Sequence, residues 1–337
     1  MTHRTEIVAE LAQGFEGRPE VARLLLLAAA RAGASAAKFQ LVYADELATA
    51  DYVHHGLFRS LEMTDDVWEG LARLGSEEGV GVWFDIFGER SLALSERLGA
   101  RAVKLHGSDT ANEGLLAAVA RSGVPRVILG AGGGHLDEIE TALQVLTGKR
   151  VVVMLGFQGY PTADSDNQIQ RVRALADRFV GDPRVSVGFA DHATTETPGT
   201  FLPAALAIGA GALMVEKHLS LGRLLRLEDH ESALGPDEFA QFCVAVRACD
   251  ALLGKCASQN DFGMSEAEQA YRLKIRRHVV AAGDLAAGQS ISPDDVILRR
   301  SSCEHALRDL ASVYGRRVHR AVTRLQPLTD ADLEQLP

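Results

Sequence analysis

From Glu6 to Ser220 the chain switches repeatedly between two hydrophobic patterns. Short runs rich in apolar and β-branched residues occur at "EIVAELAQ", "AAKFQ", "GVWFDIF", "AVKLHG", "RVILGAG", "RVVVMLGFQ", "RVSVGFADH" and "ALMVEKHLS". Between them lie amphipathic stretches, among them "RPEVARLLLLAAARAGA", "DDVWEGLARLGSEEG", "ERSLALSERLGA", "NEGLLAAVARSG", "HLDEIETALQVLTG" and "NQIQRVRALADRF". Their apolar positions recur at i, i+3, i+4 and i+7, the spacing of a half-buried helix. Several end in glycine, a common helix stop. Eight strands alternating with helices predict an α/β fold, a parallel (β/α)8 TIM barrel. The alternative is an open doubly wound sheet. No strand is followed by G-x-G-x-x-G, and the count of eight favours closure.

A longer helical pattern, Pro236 to Gly254, is suited to flank the barrel, which gives a first domain over residues 1–254. Residues 255–270 lose periodicity and read as a linker. From Tyr271 onward short strands broken by Gly-containing turns predict a small β-rich domain over 271–337. A unit of that size is marginally stable alone, so it is expected to pack on the barrel or on a second subunit.

In a parallel barrel the chemistry sits at the C-terminal ends of the strands. Those ends collect Glu10, Gln13, Lys38, Gln40, Asp85, Lys104, His106, Ser108, Asp109, Gln158, Tyr160, Asp191, His192, Glu216, Lys217 and His218 after almost wholly apolar strand bodies. His192 and His218 end neighbouring strands about 4.8 Å apart, so their imidazoles can share one divalent cation. Lys38 and Lys104 point positive charge at the same cavity. A barrel lysine can be a Schiff-base nucleophile, a general base or an anion anchor. Together with Arg223 and the turn Gly130–Gly134, whose backbone amides can cradle oxygens, they favour a phosphate or carboxylate ligand. The plain alternative for that turn is a tight strand-to-helix connection.

Composition narrows the partners. The 337 residues are 47% hydrophobic, enough for a sizeable core, and carry a net charge of −10, which argues against a nucleic-acid partner. An acidic protein can still hold a local basic pocket for an anionic small molecule. "MTHRTEIVAELAQ" lacks the apolar core and cleavage site of a signal peptide. No run of about 18 apolar residues predicts a membrane span. Cys243, Cys249, Cys256 and Cys303 form no C-x-x-C pair, so neither a zinc site nor a disulfide framework is expected. The chain reads as cytoplasmic.

The ordered set "IVAELAQGFEG", "GASAAKFQ", "AVKLHGSD", "YPTADSDNQ", "VGFADH", "GALMVEKHLSLGR" and "EDHESALGPDEF" resembles the sialic acid (N-acetylneuraminate) synthase family. The segment "VVAAGDLAAGQSISPDDVILRR" is similar to the antifreeze-protein-like SAF (β-clip) domain that these enzymes carry. The resemblance implies a transferase that condenses phosphoenolpyruvate with an N-acetylated hexosamine, N-acetylmannosamine or a related sugar, to give a nonulosonic acid and phosphate. It implies a divalent metal on His192 and His218, manganese with magnesium as the alternative. Lys38, Lys104 and Asn167 match residues that contact phosphoenolpyruvate, and Gly132 stands in the turn that holds its phosphate. Glu10, Gln40, Tyr160 and Asp229 match the sugar end. Glu10, Lys104 and Asp109 are the implied catalytic groups. Arg300 resembles the arginine that the small domain lends to a partner subunit, which implies a domain-swapped homodimer.

The departures from the family fall at the site. "STGM" after the fifth strand is "GAGG" here, the serine before the Asp-His pair is Ala190, and "LHC" is Leu155, Gly156, Phe157. Each missing hydroxyl removes about 0.5–1.5 kcal/mol of phosphate binding, and more to a charged group. Phe15 and Phe157 are expected to make the acceptor pocket more apolar, which points to modified sugars such as diacetamido hexoses. Two other readings stand beside the synthase: a family member that binds a sugar or sugar acid without turnover, and an aldolase using pyruvate.

Overall fold

The computed structural model describes residues 4–197, 199–254 and 263–334. Cys256 and the first half of the expected linker lie outside the described residues. The chain divides into two compact units, Met1–Gly254 and Lys255–Pro337.

In the first unit all eight expected strands form: β1 (Glu6–Ala12), β2 (Ala36–Gln40), β3 (Gly81–Ile86), β4 (Val103–Leu105), β5 (Arg126–Gly130), β6 (Arg150–Leu155), β7 (Val185–Asp191) and β8 (Met214–His218). They pair in chain order, all parallel, and β8 closes on β1 through Glu6↔Met214 to Glu10↔His218. Helices α1 (Pro19–Ala32), α2 (Ala44–Leu47), α3 (His55–Leu61), α4 (Asp65–Glu77), α5 (Glu89–Arg97), α6 (Glu113–Arg121), α7 (Leu136–Val145), α8 (Gln170–Phe179), α9 (Leu202–Gly209) and α10 (Pro236–Leu253) connect and flank the strands. The first of these shows how local chemistry sets the bounds. Proline opens α1, and Gly33 at φ 87° ends it in a left-handed conformation that glycine adopts without strain.

Two short helices, α2 and α3, precede α4 in a connection where the pattern predicts only one. The β7-to-β8 connection holds α9, which no amphipathic stripe announces. Its "LPAALAIG" has no charged residue, and Leu202 and Leu206 are exposed, so the helical period has nothing polar to be read against.

Period-two alternation sorts the strand residues into a shell and a lumen. Outward residues such as Val187, Phe189 and Val215 join helix residues such as Phe239 and Phe242 in the main core. Inward residues Val8, Ala36, Trp83, Ala102, Ile128, Val152, Met154, Ala190 and Met214 form a separate apolar plug. Phe15 belongs to the shell, which corrects its expected place in an acceptor pocket. It is fully buried and packs edge-to-face on Phe39 and Trp68, with ring centroids 5.9 and 5.5 Å away. Such pairs add about 0.5–1.5 kcal/mol each beyond burial.

In the second unit α11 (Glu266–Ile275) precedes an antiparallel pair, β9 (His278–Ala281) and β10 (Val296–Arg299). The helix runs across the end of the expected linker and the expected start of the small domain at Tyr271, where the pattern predicts no helix. No residue of α11 is buried, so there is no apolar stripe for periodicity to detect. Ser265 caps it by accepting from the Glu268 amide at 3.1 Å, the Ser-x-x-Glu spacing of a helix start. Val279, Ala281, Leu285, Ile291, Val296, Val313, Val318, Val322, Leu328 and Leu333 make this unit's core. No described helix is long and apolar enough to cross a membrane.

Candidate active site

Above the apolar plug the inward positions become charged: Glu10 on β1, Lys38 on β2, Asp85 on β3, Lys104 on β4 and Glu216 on β8. Parallel register sets them across from one another, with Glu10 opposite Lys38 and Asp85 opposite Lys104. Lys38 contacts Glu10, lies 2.8 Å from Asp85 and 3.6 Å from Glu216. Lys104 lies 2.5 Å from Glu216 and 3.8 Å from Glu10. Three carboxylates thus share two ammonium groups in a buried layer, and Asp85 Oδ2 and Glu216 Oε2 have no hydrogen-bond partner among the described residues.

The excess carboxylate decides the protonation. Burial pushes Glu10 up to about 8, against Lys38 and with the help of Glu216 and Asp85. Burial also raises Glu216, but Lys104 and Lys38 outweigh it and hold that carboxyl well below the ordinary range. For Lys38 burial favours the neutral amine, and Asp85, Glu10 and Glu216 together overcome it, keeping the ammonium charged well beyond its usual range. The network therefore carries its spare proton on Glu10 at neutral pH.

The imidazoles of His192 and His218 sit one step closer to the mouth, with ring centroids 5.3 Å apart. Burial lowers His192 to about 4 and His218 well below 6.5, the latter helped by His192 itself. Both rings are neutral at pH 7 and able to act as ligands. His192 Nδ1 donates to the Phe157 carbonyl at 2.8 Å, which fixes the tautomer and leaves Nε2 with a free lone pair. Tyr160 packs on both rings at 4.9 and 5.5 Å. Asp229 Oδ2 is 3.6 Å from His218 Nδ1, too far for a hydrogen bond. Asp229 occupies the left-handed region at φ 58°, a strained conformation of the kind that collects at functional sites. Burial, with Glu228 and Glu231 nearby, raises its carboxyl to about 7. No group of three or more His, Cys, Asp or Glu among the described residues is arranged around a metal position. Two neutral imidazoles fit a divalent cation that draws its other ligands from substrate or water.

Gly132, Gly133, Asn167 and Arg171 line a cleft of about 410 Å³ with Leu155, Phe157, Asp166 and Gln168. The glycine-rich turn exists because backbones meet there: a Cβ on Gly132 would overlap the Gly156 carbonyl oxygen. Gly134 donates to Ala131 at 3.3 Å and Ala131 to Met154 at 2.8 Å. The amides of Gly132 and Gly133 have no acceptor among the described residues. Arg171 likewise forms no ion pair with a described residue. Free amides beside a free guanidinium suit an oxyanion.

The expected residues thus separate into groups. Glu10, Lys38 and Lys104 share one network, His192, His218, Tyr160 and Asp229 form a second cluster, and Gly132 and Asn167 share the cleft. Gln40 accepts from Gln13 at 2.7 Å. Asp109 accepts from Asn112 at 2.9 Å and from Ser108 at 3.4 Å, next to the start of α6, and bonds to no member of the network. Arg300 lies exposed just past β10 in the second unit. The pattern marks Asp85 only as a strand-end charge and Glu216 as one that pairs with rim neighbours or orients a ligand, and it does not mark Arg171, because "QRVR" reads as an ordinary helix face.

Comparison with known proteins places this geometry. The NeuB family profile matches residues 25–258 and the SAF domain profile residues 276–334. The N,N'-diacetyllegionaminic acid synthase of Legionella pneumophila is 26% identical over 333 residues, covering 93% of this chain and 90% of that protein. Human N-acetylneuraminate-9-phosphate synthase is 25% identical over 334 residues, covering 94% of this chain and 89% of that protein. A crystal structure from Chromobacterium violaceum, assigned to spore coat polysaccharide biosynthesis protein E, superposes with TM-score 0.82 at 23% identity, over 98% of this chain and 100% of that one. The match in fold runs through both units, and the family profile spans most of the barrel: this chain belongs to the NeuB family and ends in a SAF domain.

Proposed function

We propose that this chain joins phosphoenolpyruvate to the open-chain aldehyde of an N-acetylated hexosamine, forming a nonulosonic acid and inorganic phosphate. The observation that carries the reading is the pair of neutral imidazoles, His192 and His218, set above the lysine–carboxylate layer at the barrel mouth. The names of the legionaminic acid and N-acetylneuraminate-9-phosphate synthases support the same reaction class.

His192 and His218 would hold a divalent cation, manganese or magnesium, which supplies Lewis acidity to the aldehyde oxygen. The enol carbon of phosphoenolpyruvate forms the new carbon–carbon bond at the aldehyde. Water then adds to the resulting oxocarbenium, and phosphate leaves with the C–O bond electrons. The added water gives up both protons as the ketone forms, one to the departing phosphate and one to the new hydroxyl. Glu10, poised at about 8, can hold and pass that proton. A proton on Glu10 also leaves the lysine–carboxylate layer neutral, so it does not repel an incoming anion. Gly132, Gly133, Asn167 and Arg171 would take the phosphate, replacing the missing hydroxyl donors. Tyr160, Gln40 and Asp229 would face the sugar. Asp109, held beside Asn112, would have to leave that contact to act. In a homodimer, Arg300 of the partner subunit would reach the sugar end.

The test is incubation with phosphoenolpyruvate, Mn²⁺ and a panel of N-acetylated and diacetamido hexosamines, assaying phosphate and 2-keto-3-deoxy acids. Phosphate release is expected only with an acceptor, to stop with EDTA, and to be lost in His218→Ala. Full turnover after chelation, or in His218→Ala, would refute the metal-dependent synthase. Light scattering of the native protein tests the dimer.

A further inference from the structure

The outer face of the barrel carries one charged pair in a layer otherwise built from apolar side chains. Asp191 on β7 and Lys217 on β8 are both fully buried and lie 3.1 Å apart. They face the shell that holds Phe189 and Val215, away from the lumen. Replacing such a buried pair by apolar residues of similar size is often neutral or stabilising. Stability alone is therefore a poor reason for it.

Its position supplies a better one. Asp191 and Lys217 are the last residues paired between β7 and β8, and His192 and His218 come immediately after. The two imidazoles thus sit just past the end of the ladder, where no β7–β8 backbone pairing fixes their separation. Lys217 Nζ donates to Asp191 Oδ1 at 3.1 Å and to the Ala193 carbonyl at 3.0 Å, and Asp191 Oδ1 accepts from the Ala193 amide at 3.0 Å. These bonds grip the chain on both sides of His192 and tie it to the strand that bears His218. The His192 carbonyl then accepts from the Thr162 amide at 2.8 Å and from Ser232 Oγ at 2.7 Å. The grip therefore extends to the loop containing Tyr160 and to the segment after Asp229.

We propose that Asp191 and Lys217 are positioning residues: their pair clamps β7 to β8 beyond the end of the ladder and sets the spacing of His192 and His218 for cation capture. The proposal rests on the two-imidazole site described above. Supporting partners of metal-binding histidines are typically worth 10- to 100-fold in affinity.

Because Lys217→Met alone strands a buried carboxylate, the paired variant Asp191→Leu, Lys217→Met is the principal arm, with its thermal midpoint measured as a folding control. The first readout uses metal-free protein: hydrogen exchange at the Thr162 amide, which touches neither substituted side chain. Exchange about tenfold faster is expected there, with the Val153 amide in β6 unchanged. The second readout is Mn²⁺ titration of the full chain, where a Kd about tenfold weaker is expected. Wild-type exchange at Thr162 in a well-folded variant overturns the clamp. Faster exchange with an unchanged Mn²⁺ Kd overturns its coupling to the cation. If the wild-type chain captures no Mn²⁺, the two-imidazole reading fails and takes the cation part of the proposal with it. The Thr162 result still decides whether the pair positions His192.

Discussion

Lys38→Met is the substitution that most directly tests the charged layer. Lys38 is fully buried and ion-pairs with three carboxylates, and Asp85 has no other ion pair among the described residues. With one Asp85 oxygen already lacking a partner, the methionine leaves the whole group stranded. Removing one member of a buried pair costs about 3–5 kcal/mol. For a unit of this size each kcal/mol lowers the midpoint by about 2–4 °C, so a fall of about 10 °C is expected. The sign of the pH effect is also fixed. Lys38 holds the Glu10 carboxyl down against burial, so without it that group rises further above its unfolded value, and stability is greatest in acid and lost as pH rises through the folded value. Urea unfolding of the variant at pH 5.5, 7 and 8.5, followed by far-UV circular dichroism, should therefore show a deficit that widens with pH. The double variant Lys38→Met, Asp85→Leu should recover at least half of it. A deficit under about 1 kcal/mol, or one that stays constant with pH, would refute the account. So would a double variant no more stable than the single.

Other consequences are quicker to state. Gly132→Ala forces a Cβ onto the Gly156 carbonyl, and overpacking of this kind costs about 1–3 kcal/mol; a thermal midpoint equal to wild type would contradict the close approach. Arg171→Ala should raise the KM for phosphoenolpyruvate about tenfold with a smaller effect on kcat, the loss expected of one charge-assisted contact; an unchanged KM removes Arg171 from the phosphate site. In the second unit, burial raises the Asp332 carboxyl, but bonds from Thr329 and Arg320 outweigh it and hold the group below its usual 3.8. Its contribution is present above that pH and lost as pH falls through the lowered folded value. Asp332→Asn should therefore cost about 1.5–3 kcal/mol at pH 7, and the difference should shrink toward pH 3 when followed by exchange at the Val318 amide.

What could be read from the chain depended on which interactions leave a periodic trace. Alternation and the 3.6-residue period located every barrel strand and the longer helices, because each buries one face and exposes the other. They missed α9 and α11 for opposite reasons, one nearly all apolar and the other nowhere buried. The strand ends were legible as a polar set because burial makes a charge after an apolar run conspicuous. Which charges pair was not, since Lys104 meets Glu216 across 112 positions through a barrel closure that no local pattern encodes. Phe15 shows the limit most clearly. It stands five residues after Glu10, yet it belongs to the outer wall while Glu10 belongs to the lumen. Past the end of a strand, alternation no longer says which side a residue faces, and the loops that shape the barrel mouth begin at that point. The same boundary explains the clamp. Lys217 looked like one more rim charge beside Glu216 and His218, but strand geometry turns it outward. Its amine bonds Asp191 and the Ala193 carbonyl, on either side of His192, rather than a ligand. A polar residue at a strand end thus has two ways to serve a barrel site, and the parity of its position separates them.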